Sequence, residues 1–242
     1  GSRFLPPGVT KTALAGALAG APLALDGGAI AGAEIVIEGV LGEERADETV
    51  TGKLGASLPE FLGYDGSARA CLPVVTVTRV TTRPDPIYQA VIGPGREQSV
   101  ILGLAGALSV ALSVPDPLIA DLHFSPAGGG MLLLAAALRK RRAADDTRLA
   151  ALAEQIFRGH PFTKLIVFVD DDVDAGCAED VWWAVTTRCN LGVDAVTRDG
   201  FEPLGMDPSQ GPGWPRGGGA GRTFVDATVP YAHRASARRS YR

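Results

Sequence analysis

The chain of 242 residues carries only three cysteines, Cys71, Cys177 and Cys189. An odd number without metal-like spacing argues against a disulfide framework and against a thiolate zinc site, and it points to a reducing cytoplasm. Histidine is equally scarce. His123, His160 and His233 are scattered, and none stands at ligand spacing from carboxylates, so no metal site of the chain's own is expected. Long apolar runs are missing as well. The most apolar stretch, 100–114 (VILGLAGALSVALSV), is shorter than the roughly 20 residues that span a bilayer. It reads as a buried helix, and no membrane contact is expected. The net charge of −4, with basic runs only at 139–142 and 234–242, argues against nucleic acid as a partner. No secretory leader pattern opens the sequence.

What is present is a globular composition, with 46% apolar residues, in a length that can bury a core. Segment 11–20 (KTALAGALAG) reads as a short helix, 33–41 (AEIVIEGVL) as a strand, and 42–57 as a loop. Segment 74–82 is almost wholly β-branched and is the clearest strand. Pro84-Asp85-Pro86 reads as a turn, after which 87–92 is expected to return as a second strand paired to the first. A helix over 97–112 ends at Pro115-Asp116-Pro117, which marks the expected domain boundary. Strands at 118–124 and 131–138 follow. An amphipathic helix over 145–158 carries Leu149, Leu152 and Ile156 on one face. The all-apolar run 165–169 (LIVFV) has the character of a strand covered on both faces, and 177–189 reads as a helix. Strands alternating with helices predict an α/β layer domain. From Gly200 onward, glycine and proline predict a weakly structured tail.

Asp170, Asp171, Asp172 and Asp174 follow the buried strand directly. Such a cluster could hold Mg²⁺ or Ca²⁺, could belong to a phosphoacceptor site, or could simply form an acidic turn capping the next helix, whose first turn carries Glu179 and Asp180. The further parts of a phosphoacceptor site do not fall into place, and the capping turn is the preferred reading. The glycine clusters 127–130 and 217–221 do not fit G-x-G-x-x-G before a helix, so a phosphate-binding module without lyase chemistry has little support.

The acidic turn together with 180–188 (DVWWAVTTR) resembles a pattern of the UbiD decarboxylases, in which a buried strand and acidic residues precede a "DVxWAxxTR" helix. Three further stretches are similar to that family in the same order: 33–39 (AEIVIEG), 76–88 (TVTRVTTRPDPIY) and 224–230 (FVDATVP). The resemblance implies an α/β (α+β) fold. Residues 1–114 would be the second half of a split, flavin-reductase-like β-barrel, and 115–195 the C-terminal α/β layer domain. Residues 196–242 would form a Gly/Pro-rich tail that touches another subunit in an oligomer.

The resemblance also implies chemistry. UbiD-type enzymes use prenylated FMN to decarboxylate aromatic or α,β-unsaturated acids, and the cofactor carries the difficult electronic step. The family's proton donor is a carboxylic acid a few residues before Gly-Tyr. Here the matching stretch is 58–64 (LPEFLGY), which makes Glu60 the candidate acid and places Phe61 beside it in the substrate pocket. A carboxyl among apolar neighbours holds its proton nearer neutral pH. Arg158 occupies the position of a cation that reaches the cofactor phosphate. The plainer readings are a surface acid for Glu60, core packing for Phe61 and a dipole-compensating cation for Arg158. One departure is Gly55, where the family usually has a second glutamate; Glu44 and Glu48 lie upstream and match it only with a shifted alignment.

The family's essential arginine, its metal ligands and most flavin contacts lie in an N-terminal half, and nothing resembling that half occurs in these residues. A second subunit, a longer protein or a changed function would each account for this. An intact candidate acid favours a decarboxylase subunit that is inactive alone. A chain of the N-terminal type would then complete it, sharing the prenylated FMN and bringing Mn²⁺ and K⁺. The alternative is a non-catalytic assembly or regulatory subunit, which Gly55 favours.

Overall fold

The computed structural model describes residues 5–48, 57–59, 63–91, 93–205, 207–211, 214, 216, 220–237 and 239–240, with the side chains of 57–59 and 65–67 set aside. Two compact units are present. One comprises Pro7–Gly93, the other Gly1–Pro6 with Pro94–Arg242.

The smaller unit opens with α1 (Lys11–Ala19). Thr10 caps its N-terminus by accepting from the Ala13 amide, and Gly20 ends it in the left-handed region at φ 74°. Short strands β1 (Leu25–Asp26) and β2 (Ala29–Ile30) pair antiparallel, and β3 (Ile35–Ala46) follows. Next come β4 (Ser57–Pro59), β5 (Asp65–Ser67) and β6 (Leu72–Thr82). β4 pairs with β5, and β3 pairs with β6 from Ile35↔Thr82 to Ala46↔Leu72.

Two expectations change here. The segment 42–57 begins as strand, because β3 continues to Ala46 along β6. Residues 87–91 form no strand, and the partner of β6 is β3. The cause is local. Pro84 and Pro86 lack amide donors, and the Glu34 carboxylate takes the Ile87 amide and the Arg83 guanidinium at 3.2 and 2.8 Å. The chain after β6 is held to the start of β3 instead of running back as a hairpin.

The larger unit is a three-layer α/β/α arrangement. Its elements are α2 (Arg96–Ser113), β7 (Ile119–Phe124), β8 (Leu133–Leu138), α3 (Leu149–Gly159), β9 (Leu165–Asp170), α4 (Ala178–Arg188), α5 (Leu191–Asp194), β10 (Ala195–Arg198) and β11 (Arg222–Ala227). The five strands lie in the order β10-β11-β9-β8-β7. β8, β9 and β11 run parallel, and the outer strands run antiparallel. The sheet is therefore mixed, and no closed barrel is formed among the described residues.

Alternation along the central strands sorts their side chains into two cores. Leu134, Ala136, Leu138, Ile166, Phe168 and Phe224 face α2 and α3, where they meet Val110, Ile156 and Phe157. Ala135, Ala137, Val167, Val169, Val225 and Ala227 face α4, where they meet Val181, Ala184 and Val185. Each fully buried Leu, Ile or Phe stabilises the fold by about 1.5–3 kcal/mol. The expected helical face of Leu149, Leu152 and Ile156 is buried, with Ala153 and Phe157 beside it.

The two compact units part at Gly93/Pro94, and α2 packs on the larger unit's own sheet. Small residues allow the close approach. A Cβ on Gly103 would lie 2.8 Å from the Phe124 carbonyl oxygen. One on Gly130, held at φ +75°, would lie 2.0 Å from the Ser99 oxygen.

Part of the chain beyond residue 200 forms a strand where none was expected. β11 lies inside the sheet, paired parallel to β9 from Thr223↔Leu165 to Ala227↔Val169. Arg222 at its start is fully buried. Its guanidinium donates to Gln210 Oε1 and the Glu202 carbonyl, both at 2.9 Å, and stacks over Phe201. This fastens the Gly/Pro-rich stretch to the domain. Among the described residues, no helix is long and apolar enough to cross a membrane.

His160 caps the C-terminal end of α3 and is fully buried between the rings of Phe124 and Phe162, with Nδ1 2.9 Å from Thr163 Oγ1. Burial pulls its pKa down to about 4. Above the unfolded-state value of about 6.5 the imidazole is neutral in both states. As pH falls from 6.5 towards 4 the unfolded chain takes up a proton that the folded chain refuses, and stability is lost. The expected loss is about 3 kcal/mol between pH 7 and pH 4. Urea midpoints measured across this range should fall more steeply for the native chain than for His160→Gln.

Candidate functional site

The candidate acid and its neighbour, Glu60 and Phe61, lie outside the described residues. Their flanks form a hairpin in which Ser57–Pro59 pairs with Asp65–Ser67, and Gly63 sits at φ +84°, a conformation that favours glycine. Tyr64, of the expected Gly-Tyr pair, is half-exposed. Gly55 is likewise outside the described residues. Glu44 is exposed on β3, and Glu48 accepts the Arg69 amide at 2.9 Å. Arg158 stands in the last turn of α3. Its side chain is 69% exposed, forms an ion pair with Glu154 one turn earlier, and lies 5.7 Å from the Phe201 ring centroid.

In the acidic turn, Asp170, Asp171 and Asp172 meet arginines. Arg188, at the end of α4, grips Asp172 with both terminal nitrogens at 2.8 and 2.7 Å, and reaches Asp170 at 3.1 Å. Asp171 accepts from Arg139 at 2.9 Å and from Arg234 at 2.8 Å. Asp180 accepts the Asp174 amide and pairs with Arg239. Glu179 and Asp180 stand in the first turn of α4 as expected, but the carboxylates of the turn itself do not cap the helix. Cys177 holds the N-cap position of α4 without a side-chain cap bond. The acids instead clasp Arg139 just after β8, Arg188 at the end of α4, and Arg234 and Arg239 after β11.

Their charge states follow from this geometry. Burial pushes the Asp170 carboxyl above the usual carboxylate range, against the Val229 amide and the nearby Lys140, Arg188 and Arg234. Asp172 is held below that range by its hydrogen bonds with Arg188, and Arg188 is raised by the same bonds. Asp170 and Asp172 share one arginine yet shift in opposite directions. Asp170 is 2% exposed, and Asp172 has the paired contacts. Beside the turn, Lys140 is buried, with its ammonium donating to Asp146 and Thr228 Oγ1 at 2.8 Å and to the Val229 carbonyl.

A separate cleft of about 510 Å³ opens on the α4 side of the sheet. Leu133, Ala135 and Val167 line it from the sheet, with His123, Cys177 and Trp182 also contributing. The small Ala135 leaves the space, since its direct cross-strand partner His123 stands on the edge strand β7. The arginine clasp and this cleft escaped sequence reasoning. The signal for the clasp was the arginine closing the "TTR" stretch, whose acidic partners stand 16 and 18 residues earlier.

Residues 1–97 match the family of the 3-octaprenyl-4-hydroxybenzoate carboxy-lyase Rift-related domain, and residues 100–227 match that of the 3-octaprenyl-4-hydroxybenzoate carboxy-lyase C-terminal domain. The chain is 32% identical to the gallate decarboxylase of Lactiplantibacillus plantarum, over 96% of its own length and 51% of the relative's. It resembles the apo 3,4-dihydroxybenzoic acid decarboxylase of Enterobacter cloacae with a TM-score of 0.84 and 33% identity, covering 100% of this chain and 53% of the other. It resembles HmfF of Pelotomaculum thermopropionicum, solved with FMN, with a TM-score of 0.75 and 28% identity, over 98% and 52%. The chain thus spans about half the length of the relatives it matches.

Proposed function

The chain belongs to the UbiD carboxy-lyase family, and from that premise we propose that it is one subunit of a decarboxylase for an aromatic or α,β-unsaturated carboxylic acid, completed by a chain of the N-terminal type. The observation that carries this reading is the unbroken match through both domains to decarboxylases about twice as long.

The ribbon of β3 and β6 gives physical support for a partner. It exposes Ile37, Val40 and Val80 together with Leu41, Val75 and Val77. A two-stranded ribbon is marginal alone, and apolar exposure of this kind calls for a cover. In this reading the ribbon is half of a split barrel whose remaining strands the partner brings.

Prenylated FMN, when bound, supplies the electron sink for C–C cleavage. Glu60 returns a proton to the carbon that has lost CO₂, and Phe61 shapes the pocket beside it. Arg158 offers paired donors to a phosphate. Its present partner, a half-buried glutamate one turn away, pairs with an exposed arginine side chain and is held by about 1 kcal/mol, so a phosphate displaces it at little cost. Mn²⁺ and K⁺ belong with the partner. Among the described residues, no cluster of three or more His, Cys, Asp or Glu is placed to hold an ion.

Co-expression with a chain of the N-terminal type tests the assembly. The expected result is a single species on size exclusion that carries flavin absorbance. Two chains that elute apart under all loading conditions would remove the basis for a shared site.

A further inference from the structure

After β11 the chain has two kinds of attachment. Thr228 and Val229 are buried. The Val229 carbonyl accepts from Lys140, and its amide donates to Asp170 at 2.7 Å. Beyond Pro230 the described side chains are exposed, apart from those of Arg234 and Arg239. The segment there is held by polar contacts. The Tyr231 amide donates to Asp146 at 3.0 Å, and Arg234 donates to the Lys140 carbonyl at 2.7 Å and to Asp171 at 2.8 Å. Arg239 pairs with Asp180 and lies 4.0 Å from the Trp183 ring centroid. No residue of this segment belongs to either apolar core. A void of about 170 Å³ remains beneath it, lined by Asp170, Asp172, Arg188, Val229, Arg234 and Ala237.

We propose that residues 230–237, together with Arg239, are an ion-latched strap that opens as a unit from the acidic turn while the sheet stays folded, with its hinge at Val229–Pro230. Apolar burial ties an element to the global unfolding of its domain, whereas ionic contacts near the surface break locally. Arg234–Asp171 and Arg239–Asp180 are partly solvated pairs, and at physiological ionic strength the screening length is about 8 Å. Salt therefore weakens these latches selectively. The inner pair of Arg188 with Asp170 is almost wholly buried and keeps the turn in place when the strap leaves. Opening bares the indole of Trp183 and the carboxylates of Asp171 and Asp180.

The strap is tested in the 242-residue chain with Trp182→Phe and Trp214→Phe, which leave Trp183 as the only indole. Raising NaCl from about 0.05 to 1 M, a range over which the screening length falls about fourfold or more, should red-shift its emission. Amide exchange in 230–237 should accelerate at least tenfold over the same range, with exchange in β8 and β9 unchanged. Arg239→Gln in the native chain should produce the same fast strap exchange already at low salt. Strap exchange that ignores salt, or that rises by the same factor as exchange in β9, would overturn the proposal.

Discussion

Replacing Arg188 with methionine is expected to lower the unfolding free energy by about 3–5 kcal/mol, the cost of removing one partner of a buried ion pair. Methionine keeps an apolar stem of similar length but removes the three hydrogen bonds to Asp170 and Asp172. Asp172 can turn to water. Asp170 cannot, because it is 2% exposed and bound to the Val229 amide. In a domain of this size the loss corresponds to a fall in Tm of about 6–20 °C. Adding Asp170→Asn should recover part of it by removing a buried charge that has lost its nearer cation and keeps Arg234 at 3.8 Å, and the two changes should couple in a double-mutant cycle. If Arg188→Met unfolds within 0.5 kcal/mol of the native chain, the clasp carries no stability and its structural reading is wrong.

The second large effect concerns chemistry. In the completed enzyme, Glu60→Gln should reduce kcat by about 10²–10⁴, with little change in KM, because a positioned proton donor contributes about that much. This is about 3–5 kcal/mol of barrier height. Glutamine matches glutamate in size and can still donate a hydrogen bond, but it has no proton to give up. Under the proposed role of Phe61 in shaping the pocket, Phe61→Leu should instead raise KM and leave kcat nearly unchanged. Full turnover in the Glu60→Gln complex would assign the acid to another residue.

Some of the fold was legible because local chemistry and tertiary environment agree. The run 165–169 has no polar residue and becomes a strand covered on both faces. The spacing of Leu149, Leu152 and Ile156 becomes the buried face of α3. Other parts depend on partners far along the chain. Nothing near 72–82 shows that its partner is 35–46, and the proline-flanked segment that follows was the natural but mistaken choice. β11 was hidden among glycines and prolines, and its place is set by parallel pairing with a strand about 60 residues earlier. The acidic turn was visible, but its cations come from the residue after β8, from α4 and from the segment after β11, so its role emerges only in three dimensions. The candidate acid was legible only through the resemblance of 58–64 to the family, since a single glutamate beside a proline carries no signal of its own.

The most direct test of the account is the rate of CO₂ release from a panel of aromatic and α,β-unsaturated acids. It should be measured for a prenyl-FMN-loaded chain of the N-terminal type with and without these 242 residues. A decarboxylase subunit predicts turnover only when both are present, and its loss with Glu60→Gln. Equal turnover by the N-terminal-type chain alone would contradict that claim and leave this chain as a scaffold.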